Sequence, residues 1–262
     1  MKSFLTAFSF CILLYSCVDA PVTRPQDPIS FPYKQEEVLI SNTKSSVQLA
    51  GTLTIPSNGK VSKIVILITG SGPQNRNEEV LNHRPFLVWS DWLTRHGIAV
   101  LRYDDRGVGK STGEFSTATT FDFADDVEAA ISFIRSRRDL NKLSIGLMGH
   151  SEGGLIAPMI ASRNKNVKFI VLLAGPCTSI YQLGLQQSAD MSRVAGVSEA
   201  VITQNLALNK KFFDLTLQDS SLSTRQLKNN IDTLLHHEML SQHWDQAKFN
   251  RWKQQYDFLI TP

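Results

Sequence analysis

The stretch IGLMGHSEGGLIAP, Ile145 to Pro158, runs an apolar segment into Gly149-His150-Ser151-Glu152-Gly153-Gly154 and leaves through an Ala- and Ile-bearing segment. A serine between glycines, where a buried strand turns into a helix, is the arrangement of a nucleophile elbow, G-x-S-x-G. Such a turn holds its central residue in a strained backbone conformation and lifts the side chain clear of the sheet. Gly149 and Gly153 are required on either side because a Cβ there collides with the neighbouring strand and helix. The helix beginning at Glu152 points backbone N–H groups and its positive dipole end at the same place, which favours an oxyanion. The five-residue pattern alone is weak, since it arises by chance in roughly one chain in ten of this length. Its setting decides the reading: it follows the fifth predicted strand and opens a helix, so Ser151 reads as a nucleophile rather than a structural turn serine.

Outward from this stretch, strands and helices alternate. "VLI" and "VQLAGTLTIP" alternate apolar and polar residues around the turn "SNTKSS", as a leading hairpin does. Lys63 to Gly70 (KIVILITG) and Ile98 to Asp104 (IAVLRYD) are apolar, β-branched runs of strands buried on both faces. "PFLVWSDWLTRHG" carries apolar residues at helical spacing up to Gly97. "FDFADDVEAAISFIRSRRDL" is amphipathic, acidic early and basic late, as the helix dipole favours. Val167 to Gly175 (VKFIVLLAG) is the strand after the elbow helix. The pattern predicts an α/β fold, a mostly parallel sheet with helices on both faces. From about Ile180 to Phe258 the chain carries no β-branched run, only apolar residues at three- and four-residue intervals, and reads as several helices.

The ends read differently. Lys2 followed by an apolar run from Phe4 to about Tyr15 and then small residues is too short to span a bilayer and reads as a secretory signal over 1–20. Val18-Asp19-Ala20 fits cleavage after Ala20, whereas Leu14-Tyr15-Ser16-Cys17 is similar to a lipobox and would put lipid, and a membrane tether, on Cys17. Either reading makes the protein exported: periplasmic, extracellular or lipid-anchored to the bacterial envelope. Residues 21–34 hold four prolines between Pro21 and Pro32 and read as a linker. The core is then 35–176 and the helical segment 177–262. Net charge is +3 with no dense Lys/Arg run, which argues against a nucleic-acid partner. Beyond the signal only Cys177 remains, so no disulfide framework is expected.

A second glycine turn, Thr69-Gly70-Ser71-Gly72-Pro73, follows the strand KIVILI. The loop at this place supplies the other oxyanion N–H, and by position Ser71 is chosen, with Gly72 second, to pair with the Glu152 N–H. Tyr103 to Gly113 (YDDRGVGKSTG) lacks the spacing of a phosphate loop and reads as a structural loop at the rim, with Asp105 and Arg106 paired across its turn.

Together and in this order, ITGSGPQNRNE, YDDRGVGKSTG and GHSEGG resemble the exported α/β-hydrolases of bacteria, a carboxylesterase-like family related to prolyl-oligopeptidase-type serine hydrolases. The resemblance implies the α/β-hydrolase fold, with the helical segment as a cap inserted over the sheet edge. It implies a serine esterase without a cofactor, acting on a small-molecule acyl ester through an acyl-enzyme on Ser151. It also implies that the last strands, with the triad Asp and His, lie beyond "FLITP", leaving this chain truncated and inactive or impaired. The histidines that follow Ser151 are His236, His237 and His243, all in the helical block and without metal-site spacing. The alternatives are a non-catalytic binding protein on a hydrolase scaffold, and a serine peptidase or acyltransferase.

Overall fold

The computed structural model describes residues 24–57, 59–218 and 223–260. The signal at 1–20, its cleavage after Ala20 and the lipidation of Cys17 lie outside the described residues, and no described helix is long and apolar enough to cross a membrane. The chain divides into two compact units, one running to Cys177 and one beginning at Thr178.

The first unit carries one sheet of six strands in the order β1-β2-β4-β3-β5-β6. Strands β1 (Lys34–Asn42) and β2 (Val47–Ile55) form the hairpin, and β2 pairs antiparallel with β4 (Ala99–Tyr103). Strands β4, β3 (Lys63–Ile68), β5 (Ser144–His150) and β6 (Val167–Leu173) are mutually parallel. Helices α1 (Pro85–Arg95), α2 (Thr120–Ser136) and α3 (Gly153–Arg163) form the crossovers. Side chains alternate across the central strands. Ile64, Ile66, Ile68, Leu101, Ile145 and Leu147 join one core with α2 and α3, whereas Val65, Leu67, Val100 and Met148 face Phe86 of α1 on the other side. That two-sided burial is why these strands read as largely apolar runs. Strand β6 is the exception: it is an edge strand, and Ile170, Val171 and Leu172 are exposed.

The linker reading of 21–34 needs correction over its described part. Asp27 pairs with Arg84, the Ser30 carbonyl accepts from Arg95 at 2.7 Å, and buried Tyr33 donates to Asp91 at 2.9 Å. Proline-rich composition indicates extended backbone and says nothing about whether side chains fasten it to the fold.

The second unit is helical: α4 (Ile180–Val194), α5 (Glu199–Gln218), α6 (Thr224–Ser241) and α7 (Gln246–Ile260). Its core gathers Leu208, Phe212, Ile231, Leu235, Trp244, Phe249 and Tyr256, with Phe212 and Tyr256 stacked 4.2 Å apart. Ser179 caps α4, and Ser223 forms a capping box with Gln226 at the start of α6.

Candidate active site

Ser151 stands between β5 and α3 at φ +49°, in the left-handed region that a non-glycine residue occupies only at a cost. Its N–H donates to the Leu173 carbonyl at 2.9 Å, tying the turn to the end of β6. The glycines around it are sites of backbone contact. A Cβ on Gly149 would lie 2.0 Å from the Gly153 carbonyl oxygen, and one on Gly153 would lie 2.3 Å from that of Ile68. Glu152 has helical backbone angles at the start of α3, and its side chain accepts from Thr120 Oγ1 at 2.6 Å. The Glu152 N–H makes no hydrogen bond to any described residue, nor does the Ser71 N–H.

The loop after β3 packs directly on the elbow: a Cβ on Gly70 would stand 3.2 Å from Ser151 Cβ. Two buried carboxylates hold that loop. Glu78 accepts the Gly70 N–H at 2.7 Å, and Asp105 accepts Thr69 Oγ1 at 2.7 Å and the Gln74 N–H at 3.0 Å. Sequence reasoning found neither role. The pairing of Asp105 with Arg106 is corrected: Arg106 turns the other way, onto Asp126 and Asp122 of α2. Asp105 is engaged by the Thr69 hydroxyl and the Gln74 N–H, and Arg106 by the carboxylates of α2, so these neighbours in sequence do not become an ion pair.

The glycines of the 103–113 loop also gain a reason. Asp104 accepts from Arg76 and from the backbone N–H of Lys110, and a Cβ on Gly109, at φ +57°, would lie 2.6 Å from Asp104 Oδ2. The loop closes around a carboxylate of its own chain.

Burial, with smaller contributions from the charges of Asp126 and Glu78, pushes Asp105 up to about 7 from an ordinary 3.8. The folded protein therefore keeps a proton between about pH 4 and 7 that the unfolded chain has released. Asp105 consequently lowers stability as pH rises through that window, and the loss is complete above it. A neutral carboxamide in its place would serve the same two partners, because the Thr69 hydroxyl can accept as well as donate. Asp105→Asn is expected to raise unfolding stability at pH 8 by on the order of 2 kcal/mol and to change it little at pH 4. Urea denaturation at the two values checks this; a loss at pH 8, or the same difference at both, would contradict it.

The histidines are accounted for locally. His150 places Nδ1 2.8 Å from Glu78 Oε1. His96 stacks on Trp92 and contacts its carbonyl, and exposed His83 faces Val80 across a backbone bridge. In the helical unit His236 contacts the Asp232 carbonyl and the Phe249 ring, His237 is exposed beside Glu238, and His243 has φ +53° in a turn. Within its own unit, Ser151 Oγ is hydrogen-bonded to no described side chain.

Comparisons with known proteins bear on the family and the fold. The family model Hydrolase_4, serine aminopeptidase S33, matches residues 86–246, more than half of the chain. Esterase EstD of Thermotoga maritima is 25% identical over 180 residues, covering 69% of this chain and 41% of the relative. YfhR of Escherichia coli K12 is 30% identical over 123 residues, covering 47% of this chain and 40% of the relative. The chain thus spans less than half the length of these curated relatives. Among solved structures, the Pyrococcus furiosus esterase Pf2001 superposes with a TM-score of 0.50 at 23% identity, covering 69% of this chain and 62% of that one, a likeness of fold.

Proposed function

The chain belongs to the Hydrolase_4 family, serine aminopeptidase S33, and on that premise we propose that it is a serine hydrolase of the esterase type acting on small acyl esters. Ser151 Oγ attacks the acyl carbonyl, and the Ser71 and Glu152 N–H groups receive the oxyanion. The alcohol leaves with a proton, and water then releases the acid from the acyl-enzyme. The observation that carries the reading is Ser151 held at φ +49° against the Gly70 loop, with both backbone donors unengaged. The named esterase relative supports an ester over an amide. The family's own description supports the second reading, cleavage of an N-terminal amino acid from a peptide.

Full activity needs an imidazole on Ser151 Oγ and an acid behind it, and among the described residues of the α/β unit neither is in place. We therefore propose that the α/β unit by itself is an impaired esterase, with catalysis resting on the oxyanion donors. A fluorophosphonate probe is expected to label the folded protein slowly and Ser151→Ala not at all. Turnover of a p-nitrophenyl ester is expected to exceed that of an aminoacyl p-nitroanilide. Equal labelling of Ser151→Ala would remove the nucleophile assignment. Faster anilide turnover would favour the peptidase, and a folded protein that is never labelled would favour a binding protein on the hydrolase scaffold.

A further inference from the structure

Glu78 is buried, at 4% exposure, beside the elbow, and one of its oxygens joins two segments. Oε1 accepts the Gly70 N–H at 2.7 Å and contacts His150 Nδ1 at 2.8 Å. A carboxylate only accepts, so Nδ1 carries the imidazole proton. Gly70 immediately precedes Ser71, the oxyanion donor of the proposed mechanism, and His150 immediately precedes Ser151. The groups are in close contact: a Cβ on Gly70 would lie 3.1 Å from His150 Nδ1, 3.2 Å from Ser151 Cβ and 3.3 Å from Glu78 Oε1. Glu78 itself has φ +51°, a conformation in which glycine is relaxed and glutamate is not. The chain thus keeps a carboxylate where its backbone favours a glycine.

From this geometry we infer that Glu78 is the positioning residue that sets the separation between Ser151 Oγ and the Ser71 N–H, by clamping the residue before each to one oxygen atom. The inference rests on the reading of Ser151 as nucleophile and of Ser71 as oxyanion donor. It adds to that reading a third element, the 75–83 segment, on which neither residue lies. Catalysis at an oxyanion hole depends on where the donor stands relative to the attacking atom, and a displacement of about 1 Å can lower the rate about 100-fold.

The test compares Glu78→Gln with Glu78→Ala in the full chain. Glutamine puts a carbonyl oxygen where Oε1 stands and accepts both N–H groups; alanine leaves both without a partner. Once circular dichroism shows the variants folded at the assay temperature, the fluorophosphonate labelling rate is expected to stay within about threefold in Glu78→Gln. In Glu78→Ala it is expected to fall about 100-fold. Hydrogen exchange of the Gly70 amide, followed by NMR, is expected to quicken at least about tenfold in Glu78→Ala and to stay near the parent rate in Glu78→Gln. Should Glu78→Ala not fold, Glu78→Asp withdraws the oxygen by one methylene and is read in the same way. Unchanged labelling and exchange in both variants would overturn the inference. An equal fall in both variants would overturn it too, because charge rather than acceptor position would then govern. If the parent protein is folded but never labelled, the hydrolase reading fails on its own. The clamp is then judged by Gly70 exchange alone, and an unchanged rate in Glu78→Ala sinks it.

Discussion

Gly149→Ala is expected to yield no folded protein, the largest effect of any single methyl group in the α/β unit. The added carbon would stand 2.0 Å from the Gly153 carbonyl oxygen, 2.2 Å from its carbon and 2.7 Å from Gly154 N. All three are backbone atoms of the first turn of α3, and that turn is wedged in place. Gly153 abuts the end of β3, where its own Cβ would meet Ile68 O at 2.3 Å, and a Cβ on Gly154 would stand 2.5 Å from Gly175 Cα. Relief would require α3 to move away from β5 and β3 together, breaking the core that Ile156, Ala157 and Ile160 form with the sheet. Gly146 is an instructive contrast. A Cβ there would come within 2.2 Å of Phe169, but of the ring edge, which a side-chain rotation on exposed strand β6 can withdraw. Gly97 has nothing within 4 Å, and its alanine variant bears only the strain of φ +85°, about 1 kcal/mol. Urea unfolding should therefore rank Gly97→Ala as mild, Gly146→Ala as intermediate and Gly149→Ala beyond measurement, with a loss above about 4 kcal/mol. A Gly149→Ala protein within about 1 kcal/mol of the parent would show that the elbow is not packed as described.

The elbow was legible in the sequence because its determinants are neighbours along the chain. Gly149, Ser151 and Gly153 are close in number as well as in space, and the apolar run before them and the helical spacing after them name the elements they join. The same applies to β3, β4 and β5, whose burial on both faces leaves apolar runs, interrupted in β4 by the buried Arg102. Strand β6 carries a similar run yet lies at the sheet edge with three large apolar residues exposed. An apolar run indicates where a strand can be buried and not what covers it. The supports of the site were illegible for a related reason. Glu78 lies in QNRNEEV, a polar loop whose composition singles out no residue, and it meets His150 across 72 positions of sequence. Asp105 and Arg106 are adjacent and opposite in charge, which suggested each other as partners, but Asp105 is taken by Thr69 and Gln74 and Arg106 by Asp122 and Asp126. Only the packed fold decides which distant group each one meets.

Asp126→Ala is expected to destabilise the α/β unit by about 3–5 kcal/mol, because Asp126 joins three elements in a buried place. It is 1% exposed, and it receives the Arg106 guanidinium in a two-pronged contact, Nε to Oδ2 at 2.8 Å and Nη2 to Oδ1 at 2.9 Å. Asn42, at the end of β1, donates to the same Oδ1 at 2.7 Å. Arg106 is 5% exposed, and its remaining partners are Asp122 Oδ1, at a longer 3.3 Å, and the Asp122 carbonyl at 2.8 Å. Alanine thus leaves most of a buried cation uncompensated and also orphans an amide, and either is costly in a low dielectric. The size of the loss should not be read as the net worth of the pair. Two ions brought out of water recover little more than their desolvation, so removing both can restore what removing one destroys. Arg106→Met with Asp126→Leu is therefore expected to be more stable than Asp126→Ala alone, falling short of the parent by about 1 kcal/mol for the unpartnered Asn42. Urea unfolding of the single and double variants at pH 7 measures both. If Asp126→Ala loses less than about 1 kcal/mol, Arg106 is not buried against α2. If the double variant is no better than the single, the cost lies in lost packing and not in the stranded charge. Arg106 lies on the loop that leads from β4 past Asp105, whereas Asp126 lies on α2, so the same variants report whether the support of the Gly70 loop survives when Arg106 is released.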